Sequence, residues 1–222
     1  MARAFFRSMT DPLPTRRPLC PRCLLAQKTC LCALVAPVDS EVDVLILQHP
    51  LEVGNAKGTA RLLHLCLPGS AMVAGETFGA SELDALLYAG GRTPVLLFPD
   101  TPDEKSLGLA PPPCLDIDAL APANLRLVVL DGTWRKSRKM LYLNPALQML
   151  PRLALQSLPA SQYRIRKAQA PDQLSTLEAS CHALAQLEGD LGKLAPILLA
   201  FERFVARHEA QILASGYASG AP

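Results

Sequence analysis

Hydrophobic residues in this chain come mostly in short blocks, and the blocks are fenced by Pro, Gly and Asp. Val42 to Leu47, Pro94 to Asp100 and Leu125 to Leu130 are apolar runs of this kind, and short runs between turn residues read as strands buried on both faces. Ala71 to Ala74 and Arg152 to Leu158 are weaker strand candidates. Between the runs the spacing becomes helical. A helix is predicted from about Ala56 to Leu65, ended by Pro68-Gly69, and Ser81-Glu82-Leu83-Asp84 resembles a capping box opening a helix to Tyr88 before Gly90-Gly91. Another helix should follow Trp134 through Met140, with Asn144-Pro145 starting a further turn to Leu150. Ser175-Thr176-Leu177-Glu178 is a second capping box, after which Leu177, Cys181, Leu184 and Ala185 share one face. A last helix from near Pro196 carries Ile197, Phe201, Phe204, Val205 and Ile212 as its apolar stripe. The proline-rich stretch from Asp100 to Leu125 reads as a long functional loop or a linker, with helical turns near Asp103 to Leu107 and Asp116 to Leu120. Strands alternating with helices predict an α/β fold, a mainly parallel sheet flanked by helices.

Composition narrows the class. The 222 residues suffice for one well-buried domain and a small appendage. Half the residues are hydrophobic and only 5% aromatic, which favours Leu/Ala/Val-rich helices over an all-β sandwich. A formal charge of +2 gives no global argument for a polyanionic partner, so any such argument rests on clusters. Apolar runs fall well short of the roughly 20 residues a membrane span needs. Met1 to Arg7 is rich in Arg and Phe and free of acids but has no signal-like apolar region, so a disordered start over 1–18, a disordered tail over 215–222 and a cytoplasmic location are expected. Seven cysteines without a secretory signal point to metal binding or free thiols rather than disulfides.

Four of those thiols, Cys20, Cys23, Cys30 and Cys32, fall within thirteen residues. A CxxC pair can hand two thiolates to one tetrahedral ion, and the short loop can return the CxC pair, which predicts a structural zinc knuckle over 19–36. The CxC spacing weakens the signal, and reduced unmetallated thiols are the alternative. Arg16, Arg17, Arg22 and Lys28 crowd the same segment. Cys66, Cys114 and Cys181 are scattered and read as ordinary thiols.

The run at Leu125 to Leu130 delivers Asp131, Gly132, Thr133 and Trp134 to one loop, at a strand end where open α/β sheets place their ligand contacts. Asp131 is a candidate general base or orienting group, with helix capping as the alternative. Trp134, the only tryptophan, would stack on a base or sit in the core, and Thr133 offers a hydroxyl to a ligand or to the turn. Arg135, Lys136, Arg138 and Lys139 follow at once, and Arg164, Arg166 and Lys167 form a second basic set, so the two sets are candidate phosphate contacts. His49 reads as a satisfied structural histidine.

Taken in order, Cys20-Pro21-Arg22-Cys23, Gln48-His49-Pro50-Leu51-Glu52, Gly58-Thr59-Ala60-Arg61, Leu97-Phe98-Pro99-Asp100, Asp131-Gly132-Thr133-Trp134, Tyr163-Arg164-Ile165-Arg166-Lys167 and Leu174-Ser175-Thr176-Leu177-Glu178 resemble the DTW-domain family, the bacterial tRNA-uridine aminocarboxypropyltransferases. The resemblance covers nearly the whole chain and implies a catalytic domain over 37–214 with a SPOUT-like fold and a C-terminal trefoil knot. It implies transfer of the 3-amino-3-carboxypropyl group of S-adenosylmethionine to N3 of a tRNA uridine, by a protein that acts as a monomer and needs no membrane. On that reading Asp131, Thr133 and Trp134 form the catalytic set. Leu97, Phe98, Pro99, Asp100, Leu130, Ser175 and Thr176 form the S-adenosylmethionine site, and Glu52 or Asp100 would hold its ammonium. The alternatives are an RNA methyltransferase on the same scaffold and a zinc-containing RNA-binding module without catalysis.

Overall fold

An apolar run with no water on either face leaves its N–H and C=O groups only neighbouring strands as partners. In the computed structural model, which describes residues 18–99, 112–114, 116, 119–155, 161 and 174–218, such runs form one sheet. Its strands are β1 (Asp43–Gln48), β2 (Ala71–Ala74), β3 (Thr93–Leu97), β4 (Leu125–Asp131) and β5 (Arg152–Leu153). They pair in the order β2-β1-β4-β3-β5, every pair parallel. All residues of the central β4 are buried, and its register with β1 sets Asp131 beside Gln48.

Among the described residues six α-helices flank it: α1 (Ala60–Cys66), α2 (Ala80–Leu87), α3 (Trp134–Leu143), α4 (Pro145–Gln148), α5 (Thr176–Glu188) and α6 (Ala195–Ala218). The two-residue period of the strands splits the core between the faces. Val44, Ile46, Leu127 and Val129 pack with Leu63, Leu177, Phe201 and Phe204 of α1, α5 and α6. Leu45, Leu47, Val128 and Leu130 pack with Leu83, Leu87, Met140 and Leu141 of α2 and α3. The helix after β1 therefore covers one face and the helix after β4 the other. Adjacent strands whose crossovers leave in opposite directions open a crevice at their carboxyl ends, the usual ligand position in such sheets.

Several boundaries differ from the sequence reading, each for a local reason. Gly79 rather than Ser81 is the N-cap of α2, so the expected capping box there does not form. A turn occupies 56–57 and α1 starts only at Ala60, where the Thr59 hydroxyl accepts from the Leu177 N–H at 3.3 Å and joins α1 to α5 instead of capping its own helix. Paired strand at Arg152 ends at Leu153, and α6 continues to Ala218, beyond the boundary expected at 214. The turn expected at Asp103 to Leu107, residues 117 and 118 of that expected at Asp116 to Leu120, and most of the 156–173 segment through which a knot would be traced lie outside the described residues. No helix among the described residues is long and apolar enough to cross a membrane.

The cysteine segment is not a detached appendage. Cys23, Leu25 and Leu31 join the same cluster as Phe201 and Phe204, and Arg207 of α6 donates to the Cys30 carbonyl at 2.6 Å. Charged side chains tie the layers elsewhere. Arg126, buried in β4, reaches Asp43 of β1 and the Leu86 carbonyl of α2. At the end of α5, Glu188 accepts from Ser40 Oγ at 2.6 Å, the Glu41 N–H at 2.9 Å and Lys193 Nζ at 2.6 Å, which fixes the entry to β1.

Burial pushes the Glu188 carboxyl up, but hydrogen bonds from Lys193, Ser40 and Val42 outweigh it and hold the group below its ordinary 4.5. A depressed carboxylate contributes stability that is complete above the ordinary value and is lost as pH falls through the lowered one. Glu188→Gln should therefore lower stability at neutral pH and flatten its fall below about pH 4.5 in urea titrations. An acid limb identical to wild type would contradict this role.

Candidate active site and cysteine cluster

Asp131 ends β4 with its carboxylate 5% exposed. Oδ2 accepts from Gln48 Nε2 at 2.9 Å and Oδ1 from Thr176 Oγ1 at 2.8 Å. Parallel pairing supplies Gln48 from β1, and the first turn of α5 supplies Thr176. Its backbone carbonyl accepts the His49 N–H at 2.9 Å. The residue is thus fixed from three directions, and its own helix-capping alternative is excluded, since Thr133 is the N-cap of α3. Gln48 entered the sequence reading only as one letter of a family-like motif, with no role, and the Thr176–Asp131 bond did not figure there.

Beside this junction lies a cavity of about 390 Å³ at the carboxyl ends of β3, β4 and β5. That is within the range of about 300–1,000 Å³ usual for ligand pockets. Leu97, Phe98, Pro99, Leu130, Ser175 and Thr176, six of the seven expected cofactor contacts, line it, together with Val129, Leu153, Leu155 and Trp134. The seventh, Asp100, lies outside the described residues. The Asp131 carboxylate stands behind the wall formed by Leu130, Gly132 and Thr176. Space at Gly132 is tight: a Cβ would lie 3.0 Å from Lys136 Cβ and 3.6 Å from His49 Cβ.

Trp134 is neither core nor isolated. It is 40% exposed at the cavity rim and stacks on Phe98, with centroids 5.0 Å apart, while the Arg152 guanidinium lies 5.0 Å from the same Phe98 ring. Thr133 Oγ1 accepts the Lys136 N–H at 3.4 Å, a turn role rather than a cavity contact. Ser175 caps α5 in a complete capping box with Glu178, which Ser161 also contacts. Its hydroxyl and its N–H are both engaged within the capping box, and the residue lines the cavity.

The basic cluster divides. Lys136 Nζ pairs with Glu52 at 2.7 Å and Lys139 Nζ with Glu76 at 2.9 Å. Glu52, one of two candidates for a ligand ammonium, thus sits against α3 and outside the cavity lining. Arg135 and Arg138 are exposed and have no ion pair among the described residues. Arg164, Arg166 and Lys167 lie outside them. His49, 5% exposed, accepts the Leu51 N–H on Nδ1 at 3.1 Å. Nε2 therefore carries the proton and donates to Glu76 at 2.8 Å, so both ring nitrogens have partners, as a structural histidine requires.

The four clustered thiols converge. Their sulfurs lie within 4.8 Å of one another, with Cys20–Cys32 at 3.6 Å and Cys23–Cys30 at 3.7 Å. Zinc–sulfur bonds of about 2.3 Å in a tetrahedron place sulfurs about 3.8 Å apart, so the donor set fits such an ion. The CxC pair is accommodated because a 3₁₀ turn begins at Cys32 and rotates it relative to Cys30. Backbone N–H groups of Cys23 and Arg22 bring the Cys20 thiol down to about 6, whereas burial pushes Cys32 up to about 12.

The DTW domain profile matches residues 17–209. The chain is 31% identical over 182 residues to a Mus musculus protein named tRNA-uridine aminocarboxypropyltransferase 2, covering 78% of this chain and 57% of that one. It is 33% identical over 184 residues to the Drosophila melanogaster protein of the same name, covering 80% and 69%. An Arabidopsis thaliana tRNA-uridine aminocarboxypropyltransferase A is 26% identical over 137 residues, 56% of this chain and 50% of its own. The chain thus spans little more than half of the mouse relative. No solved structure matches.

Thr176→Val keeps shape but leaves one Asp131 oxygen without its donor. Such a loss should cost about 1–3 kcal/mol in urea unfolding. A change within error would mean that the bond does not support this junction.

Proposed function

Because the chain belongs to the DTW domain family, we propose that it transfers the 3-amino-3-carboxypropyl group of S-adenosylmethionine to N3 of a uridine in tRNA. The observation that carries this reading is the cavity itself: apolar walls on three strand ends, a helix N-terminus opposite, and an exposed tryptophan at the rim. Bound S-adenosylmethionine supplies a sulfonium whose attached carbons are electrophilic. Everything else falls to the protein.

Leu97, Phe98, Leu130 and Leu153 would enclose the adenosine, and the start of α5 at Ser175 and Thr176 would face the amino acid carboxylate, since helix N-termini favour anions. Which carbon reacts is decided by position. With the adenosine held deep, the aminocarboxypropyl arm would point toward Trp134, where an unstacked uracil would lie on the indole. In the transfer, N3 would give its proton to solvent, the new N–C bond would form, and the C–S bond would break with its electron pair going to sulfur to leave methylthioadenosine. Asp131, behind the lining, acts here as a positioning residue that holds Thr176 and the Gly132–Trp134 turn. Thr133 shapes that turn from its cap position. Arg135 and Arg138 supply the leading phosphate contacts, with Arg164, Arg166 and Lys167 on the following segment, while Lys136 and Lys139 contribute through loops they anchor. A tRNA substrate accords with a cytoplasmic location and with action as a monomer.

We assign zinc to the four-cysteine cluster. It would substitute for hydrophobic core that a short segment cannot build. Purified protein should carry zinc, and Cys20→Ser should lose it with a lowered melting temperature. A metal-free protein of undiminished stability would exclude this assignment.

Nucleoside mass spectrometry after incubating the protein with tRNA and S-adenosylmethionine should show a uridine heavier by an aminocarboxypropyl group. A methyl increment would identify a methyltransferase instead, and tRNA binding without any product would favour a non-catalytic module. Asp131→Asn should lower transfer at saturating S-adenosylmethionine by tenfold or more, on the order of one lost positioning interaction, with tRNA affinity retained. Unchanged turnover would reject the positioning role.

A further inference from the structure

α3 turns two different surfaces outward. At about 100° per residue, Trp134, Arg138, Tyr142 and Arg135 fall within an arc of about 100°. Lys139, Leu143 and Lys136 occupy the next arc. Acids answer the second surface: Glu52 meets Lys136 and Glu76 meets Lys139. On the first, Arg135 and Arg138 are exposed, have no ion pair among the described residues, and lie between two exposed aromatics, Trp134 at 40% and Tyr142 at 53%.

This charge pattern works against the helix that bears it. α3 contains no acid, and Arg135 stands in its first turn without the acid partner that Lys136 beside it has, at a place where the helix dipole disfavours cations. Residues that oppose local stability without a compensating contact mark a functional surface. Two aromatic planes separated by unpaired guanidinium groups match the chemistry of a single-stranded nucleic acid, whose bases stack and whose phosphates take the cations. From Trp134 to Tyr142 the helix rises about 12 Å, which is the reach of a few nucleotides rather than one.

We infer that the Trp134-Arg135-Arg138-Tyr142 face of α3 is a track for single-stranded RNA, with Tyr142 stacking a base that neighbours the one presented to Trp134. This rests on the proposed tRNA activity and adds to it: the substrate uridine lies in a stretch whose flanking base is also unpaired. Tyr142 lies outside the cavity lining, so its effect is on strand capture and not on the S-adenosylmethionine pocket.

The test uses the full chain and a fluorescein-labelled six-nucleotide oligouridylate, with a blunt RNA duplex and inorganic polyphosphate as competitors. Tyr142→Ala should weaken oligouridylate binding about tenfold, within the range for loss of one base stack, while Tyr142→Phe keeps it. Arg138→Gln should reduce the magnitude of the log-log salt slope by about 0.7, the single-strand value for one phosphate. Duplex and polyphosphate should compete poorly. Tyr142→Ala binding as tightly as wild type would overturn the track, and so would polyphosphate competing as well as RNA. Binding of an acidic protein at this face with no RNA affinity would likewise overturn it. A protein that takes no tRNA in any form refutes the activity itself, whereas tRNA transfer unaffected by Tyr142→Ala, with oligouridylate binding also unaffected, refutes only the track.

Discussion

The site depends on one buried carboxylate. Asp131 holds β4, β1 and α5 together through Gln48, 83 residues away, and Thr176, 45 residues away. Hydrogen bonds to a charged group contribute roughly 1.5–3 kcal/mol each, and a buried charge left without them costs more. The arrangement is possible only in one register. A shift of β1 by a single residue would turn Gln48 to the opposite face and leave Oδ2 without that donor. The Ser175–Glu178 capping box fixes where α5 begins, and with it where Thr176 points. Cavity, junction and helix start are therefore parts of one construction.

Around it, the protein separates charges that anchor from charges that remain outward. Lys136, Lys139, Glu52, Glu76 and His49 bind the loops after β1 and β2 to α3, with the Asn144 side chain adding bonds to the Glu76 carbonyl and the Phe78 N–H. A rigid α3 follows. On such a helix the orientation of Trp134 is set by Phe98 beneath it, and the two arginines stay in solvent. Surface arginines of this kind add little to stability.

What could be foreseen followed the range of the interaction. β2 falls on Ala71–Ala74 as its short run suggests, and the capping box at Ser175 forms as written, because both signals are complete within a few residues. The four cysteines likewise lie close in sequence and meet in space. Ser81 misled because its pattern competes with Gly79, whose extended backbone starts the helix two residues earlier. Gln48 stood in a family-like motif but gave no sign of its role, since a glutamine ending an apolar strand acquires meaning only from the carboxylate placed beside it. The same holds for the acid partners of Lys136 and Lys139, which lie 84 and 63 residues away and turn half of an apparent basic patch into internal fasteners.

The pocket between the strand ends and α5 is the claim on which the chemistry stands. A crystal structure with methylthioadenosine bound tests it most directly. The purine should lie between Phe98 and Leu153, with the thioether directed toward Trp134 and the start of α5 open beside it. Adenosine density on another face of the sheet, with the space above Asp131 filled by side chains, would contradict it.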